Sequence, residues 1–187
     1  MRRDRARDEF ERFVADATDD LLRTAYLVLW DLAAAEDLVQ ECLFKVARRW
    51  PRVRSMEHPS AYARRILVNL ALDDAERRQR HHAELHVADR LTIDQRHDEA
   101  AALALGMVET TSELLEVLGT LAPVQRAVLA LRYFDDLSEA QVAEVLDCTV
   151  GTVKSTMSRA LAKLREYPRL AEFMNERSGD RDGHPVA

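Results

Sequence analysis

The sequence predicts an all-α protein: two small helical domains joined by an acidic linker. Three observations carry that expectation. Apolar residues recur three and four apart in both halves, the mark of one helix face, and no segment alternates as a strand does. The apolar content, 47% of 187 residues, is largely Ala, Leu and Val with only five Gly and five Pro, which favours packed helices over a turn-rich sandwich or barrel. Between the halves the texture turns acidic, with Glu84, Asp89, Asp94, Asp98, Glu99 and Glu109 against Arg90 and Arg96.

The elements follow in order. Phe10, Phe13, Val14 and Ala17 share a face, and Leu21, Leu22, Ala25, Tyr26 and Leu29 continue after Thr18-Asp19-Asp20, a polar triplet expected to break and re-cap the helix. Asp31 is placed to cap a third helix running to about Trp50, with Leu38, Cys42, Val46 and Trp50 as its stripe and Pro51 as its end. Residues 53–59 read as a loop. Ser60 is then expected to cap a fourth helix carrying Tyr62, Ile66, Leu67, Leu70 and Ala71. The first domain is thus set at 8–80, the linker at 81–110, the second domain at 111–167 and a polar tail at 168–187.

In the second domain Thr110 and Glu113 have capping-box spacing ahead of Leu114, Leu115 and Leu118, and Pro123 suits the first turn of a helix with Val124, Val128, Leu129 and Leu131. Ser138 and Gln141 form a second capping-box pair before Val142, Val145 and Leu146. A turn at Asp147-Cys148-Thr149 leads into a last helix through Arg165.

Several classes of chemistry find no support. Cys42 and Cys148 are far apart, lack a CxxC partner and sit in apolar helical patterns, so inert core cysteines are expected. His81, His82 and His86 lack ligand spacing, and no Gly-rich phosphate loop or ordered nucleophile set is present. No enzyme activity, metal or cofactor is expected. The charged start Met1–Arg5 and the absence of any apolar run near ~18 residues argue for a cytoplasmic chain without a membrane segment. A net charge of −6 means that any nucleic-acid surface must be local.

Such a surface exists at the end of the second domain. Two short helices around a tight turn, from Leu137 to Leu161, have the layout of a helix-turn-helix. The first carries Glu139 and Glu144 between Asp135, Asp136 and Asp147; the second carries Lys154, Arg159, Lys163 and Arg165 and no acid. Thr152, Lys154, Ser155, Ser158 and Arg159 are placed to face DNA, opposite Val153, Met157 and Leu161. A structural hairpin with a solvated basic face is the alternative. In the first domain Asp37, Gln40, Glu41 and Phe44 lie three and four apart on a face separate from Leu38, Cys42 and Val46. This is a protein-docking patch or an ordinary solvated acidic face.

Leu121-Ala-Pro-Val-Gln-Arg-Ala-Val-Leu-Ala-Leu-Arg-Tyr, then Leu137-Ser-Glu-Ala-Gln-Val-Ala and Val150-Gly-Thr-Val-Lys-Ser, resembles region 4 of sigma factors, although response regulators of the LuxR type carry a similar helix-turn-helix. The first half separates the two. Ala35-Glu-Asp-Leu-Val-Gln-Glu-Cys-Leu-Phe is similar to sigma region 2.2, and Pro59 to Arg78 resembles regions 2.3 and 2.4. The chain is identified as a member of the small extracytoplasmic-function sigma factors, similar to the actinobacterial SigE-like branch.

The resemblance implies an initiation factor that binds core RNA polymerase at its clamp helices and flap. Asp37, Gln40, Glu41 and Phe44 would serve the clamp, and Thr152, Lys154, Ser155, Ser158 and Arg159 the −35 element of promoter DNA. Arg64, Arg65, Asn69, Arg77 and Arg78, with the 53–59 loop as base pocket, would serve the −10 element. It also implies an anti-sigma factor as a further partner. Family members often place Thr-Gly before the acidic helix, where this chain has Leu29-Trp30-Asp31. The alternative is a helix-turn-helix regulator that never docks polymerase.

Overall fold

The computed structural model describes residues 2–85 and 118–166. Every element among them is helical: α1 (Arg2–Leu29), α2 (Leu32–Arg48), the single turn α3 (Trp50–Val53), α4 (Pro59–Leu85), α5 (Pro123–Leu129), α6 (Glu139–Val145) and α7 (Val150–Arg165). A π-helical turn, Ala130–Phe134, extends α5. No described helix is long and apolar enough to cross a membrane. The acidic linker beyond residue 85, the Thr110/Glu113 cap and the tail lie outside the described residues.

Three expected boundaries differ. α1 runs unbroken through Thr18-Asp19-Asp20, because its apolar stripe crosses the triplet without a change of phase: Phe10, Phe13 and Ala17 pack on the core and Leu21, Ala25 and Val28 are buried in it. The triplet stays on the flank, where Thr18 Oγ1 donates back to the Val14 carbonyl at 2.6 Å. α4 starts at Pro59, so Ser60 lies inside the first turn and is not the cap. Pro51 likewise sits in the first turn of α3 rather than closing α2, which ends at Arg48. The other signals hold. Asp31 accepts from the Ala34 amide at 3.1 Å, and Ser138 and Gln141 exchange both capping-box bonds, at 3.2 and 2.8 Å.

In the first domain α1, α2 and α4 bury Tyr26, Val28, Cys42, Val46, Leu67, Val68 and Ala71. Phe10 and Phe13 gather on Trp50, with ring centroids 5.2 and 5.1 Å away, and the Trp50 indole N–H donates to the Ala6 carbonyl at 2.9 Å. That contact fixes α3, and the loop after it, to the start of α1. The Cys42 thiol lies in the same core, donating to the Ala63 carbonyl at 3.2 Å, and burial pushes it up to about 12. It is inert, as expected. In the second domain Val128, Leu131, Val142, Val153, Ala160 and Leu164 close a smaller core. The two cores are continuous, because α5 and its π turn pack on α1 and α4.

Candidate functional site

The α2 patch assembles as its spacing requires. α2 buries Ala34, Ala35, Leu38, Val39, Cys42 and Val46 against the bundle, which turns Asp37, Gln40, Glu41 and Phe44 outward. Phe44 is 64% exposed, the most exposed large apolar side chain among the described residues, and the Arg48 guanidinium lies 6.0 Å from its ring. Glu41 pairs with Lys45 at 2.8 Å along the helix. An exposed aromatic among acids, backed by a packed stripe, is a surface suited to another protein.

The five α4 residues do not share one surface. Arg65 and Asn69 are four apart and exposed together, whereas Arg64 and Arg78 fall on another face and are taken by acids. The Arg64 guanidinium reaches Asp135 of the second domain at 3.1 Å. Arg78 bridges Asp31 at 2.7 Å and Asp74 at 2.5 Å. Arg77 is exposed, 3.4 Å from Asp74. Burial alone would raise the Asp31 carboxyl, but the Ala34 amide and Arg78 outweigh it and hold it below the usual carboxylate value.

Between α2 and α4 lies an open depression of about 490 Å³, lined by Lys45, Arg48, Arg49, Ile66, Asn69, Leu70 and Asp73. No residue of the 53–59 loop is among its walls. The three cations were missed at the sequence level, although their spacing in the last turn of α2 and just after it was a readable signal. They give Asn69 an electropositive setting suited to a nucleic-acid backbone beside a base edge.

α7 exposes the residues that the sequence places toward DNA. Thr152, Lys154, Ser155, Ser158 and Arg159 are all exposed, while Val153, Thr156, Ala160 and Leu164 are buried. Met157 and Leu161, expected on the face opposite, are half-buried and pack against the core. The start of the helix is built by the turn before it. Asp147 takes a left-handed backbone (φ 53°), and the Cys148 amide closes onto the Ala143 carbonyl at 3.0 Å, the end of a Schellman motif. Thr149 then caps α7 by accepting from the Thr152 amide at 3.1 Å. Lys154 lies 3.5 Å from Glu139 of α6, and Arg159 has no such acid within salt-bridge distance among the described residues.

Comparison with known proteins bears on both halves. The sigma-70 region 2 model matches residues 13–81, and the sigma-70 region 4 model matches 111–164. RNA polymerase sigma-E factors of Streptomyces avermitilis and Streptomyces coelicolor are each 34% identical over 158 residues. The match covers 84% of this chain and 84% and 85% of those proteins. The chain is an extracytoplasmic-function sigma factor. A solved structure of the sigma factor RpoE in complex with the anti-sigma factor NepR, from Bartonella quintana, shares the fold at a TM-score of 0.61 and 23% identity, covering 88% of this chain and 97% of that one.

This sigma factor is therefore a non-enzymatic transcription initiation factor, and the reading as a regulator without a polymerase-docking module falls with the region 2 match. Its departure at Leu29-Trp30-Asp31 has a structural answer. Trp30 adopts the left-handed backbone (φ 62°) that a glycine would take, its amide donating to the Tyr26 carbonyl at 2.7 Å. Its ring stacks on Tyr26, with centroids 5.6 Å apart.

Proposed function

We propose that this sigma factor docks on core RNA polymerase through Asp37, Gln40, Glu41 and Phe44, melts the −10 element with the first domain (8–80) and holds the −35 element with the second (111–167). The observation that carries the reading is the separation of faces: α2 exposes acids with Phe44 and α7 exposes a basic face, each opposite its own buried stripe. The −10 strand is assigned to the Asn69 depression with Lys45, Arg48 and Arg49, flanked by Arg65 and Arg77. Arg64 and Arg78 join it only if their acidic partners release them. Phosphate contacts position the strand and Asn69 reads a base. Residues 81–110 serve as an acidic spacer and 168–187 as a tail. An anti-sigma factor, the class of partner bound to RpoE in the structural relative, would cover Phe44 and the acids beside it. The chain works in the cytoplasm, with polymerase and promoter DNA as partners.

Two substitutions test the division of labour. Glu41→Lys should weaken core binding at least tenfold with little change in melting temperature, since exposed substitutions shift stability by about 0.5 kcal/mol or less. Unchanged affinity for core in the folded variant would remove α2 from the interface. Asn69→Ala should leave core binding intact and depress open-complex formation, read by permanganate reactivity on a cognate promoter. Normal melting would move −10 recognition elsewhere.

A further inference from the structure

The start of α1 precedes residue 13, where the sigma-70 region 2 match begins, yet it packs on α3 and on the turn that follows. The contact has an apolar part and a charged part. Phe10 and Phe13 lie against Trp50, the first residue of α3, whose indole N–H donates to the Ala6 carbonyl at 2.9 Å. The Glu9 carboxylate takes Arg54 at 3.1 Å through one oxygen and Arg5 at 3.2 Å through the other. Arg54 is the residue at which α3 ends, and its amide donates to the Trp50 carbonyl at 2.9 Å. Beyond it the chain turns tightly. The Ser55 amide and hydroxyl both donate to the Arg52 carbonyl, at 3.2 and 2.7 Å, and the Met56 amide donates to the Val53 carbonyl at 3.0 Å. Val53 is buried and Met56 packs on the core, which leaves Arg54, Ser55, Glu57 and His58 exposed.

This turn adjoins the Asn69 depression. Arg49, one of the walls of that depression, immediately precedes α3, and its guanidinium donates to the Tyr62 hydroxyl of α4 at 3.1 Å. Residues 45–56 carry Lys45, Arg48, Arg49, Arg52 and Arg54 and no acid, a local field that attracts a phosphate backbone. Among the described residues, Arg54 is the one of these five cations held by an acid from another helix. A side chain so held is placed, where its neighbours are free to adapt. A loose turn can fit its polar groups to a wrong base, whereas a fixed one leaves them unpaired there. Fixing the turn therefore serves discrimination more than affinity.

We propose that Glu9 is a positioning residue for −10 recognition: through Arg54 it fixes the turn at 53–59 beside the Asn69 depression, so that its exposed groups meet the −10 strand in one geometry. The effect on recognition rests on the promoter reading above; the brace itself does not. A partly exposed ion pair shifts an equilibrium by about fivefold at most, too little to unfold the bundle and enough to loosen one turn.

Two measurements test the proposal. In amide hydrogen exchange of the full chain, Glu9→Gln should speed exchange severalfold at Arg54, Ser55 and Met56, and leave Cys42 and Leu67 in the core at parent rates. In holoenzyme reconstituted with core polymerase, the readout is the ratio of affinities for a non-template single strand carrying the cognate −10 element and for its scrambled counterpart. Glu9→Gln should lower that ratio about three- to fivefold, at parent melting temperature and core affinity. Glu11→Gln, which removes the same charge two residues on, is the reference. Arg54→Gln should lower the ratio similarly although it changes charge in the opposite sense, and the double variant should fall no further, since both substitutions break one link. Parent-like exchange at the turn in Glu9→Gln would overturn the brace. A ratio no lower than that of Glu11→Gln, or additive losses in the double variant, would overturn the positioning role. Normal melting by Asn69→Ala would fail the promoter reading separately, with the exchange result still deciding the brace.

Discussion

Trp30, Asp136 and Asp147 adopt left-handed backbone conformations without being glycine, and each ends or turns a helix where the chain must reverse. Asp tolerates this locally, since a short polar side chain can bond to nearby backbone. Trp30 does so only because its ring gains Tyr26 beneath it and Arg126 beside it. One residue on, Asp31 caps α2 and anchors Arg78. Asp31→Ala should cost about 1 kcal/mol in urea unfolding, the usual value of a lost N-cap. Because its carboxyl is held below the ordinary value, the contribution of Asp31 is complete above pH ~4 and is lost as the pH falls through the folded-state value. The gap between parent and Asp31→Ala should therefore narrow in acid, and a gap that widens there would contradict the capping assignment.

At the scale of elements, stripe phase decided more than local polar signals did. The triplet Thr18-Asp19-Asp20 resembled a break, yet the apolar face on either side of it was in register, and α1 kept that register. α7 shows the converse, where the cap at Thr149 and the stripe agree and the helix starts where the sequence placed it. Its exposed face then yields two distinct outcomes. Arg159→Ala should cost about 1–3 kcal/mol and relax specificity at one −35 position, as loss of a base contact does. Lys163→Ala, further along and exposed, should weaken all sequences alike and lower the salt slope by about one. Competition between promoter and scrambled duplexes across a salt series separates them. Equal binding of both duplexes by parent and Arg159→Ala alike would take the reading role from α7.

Across the whole molecule, one continuous core joins segments assigned to two domains. Calorimetry of the parent should therefore show a single cooperative transition, with calorimetric and van't Hoff enthalpies agreeing. Two resolved transitions in the parent would mean that the domains are energetically independent and that their contact adds little. Much of the protein was legible in the sequence: the all-helical class, the Ser138/Gln141 capping box, and the exposed faces of α2 and α7. All of these depend on neighbours three or four residues apart, which the chain sets by local geometry. Tertiary structure alone decided what Arg64, Arg78, Arg126 and Asp135 do. As runs of sequence they are charges like many others, and Arg64 and Arg78 read either as phosphate contacts or as solvated charges near Asp73, Asp74 and Glu76. Their long-range partners lie 47 to 98 residues away, at Asp31 for Arg78, Asp135 for Arg64 and the Val28 carbonyl for Arg126, while Asp74, four residues before Arg78, is a pairing that helical spacing does offer. Periodicity cannot report the long-range pairings, because a buried charge takes whichever opposite group the packing of whole helices brings within reach.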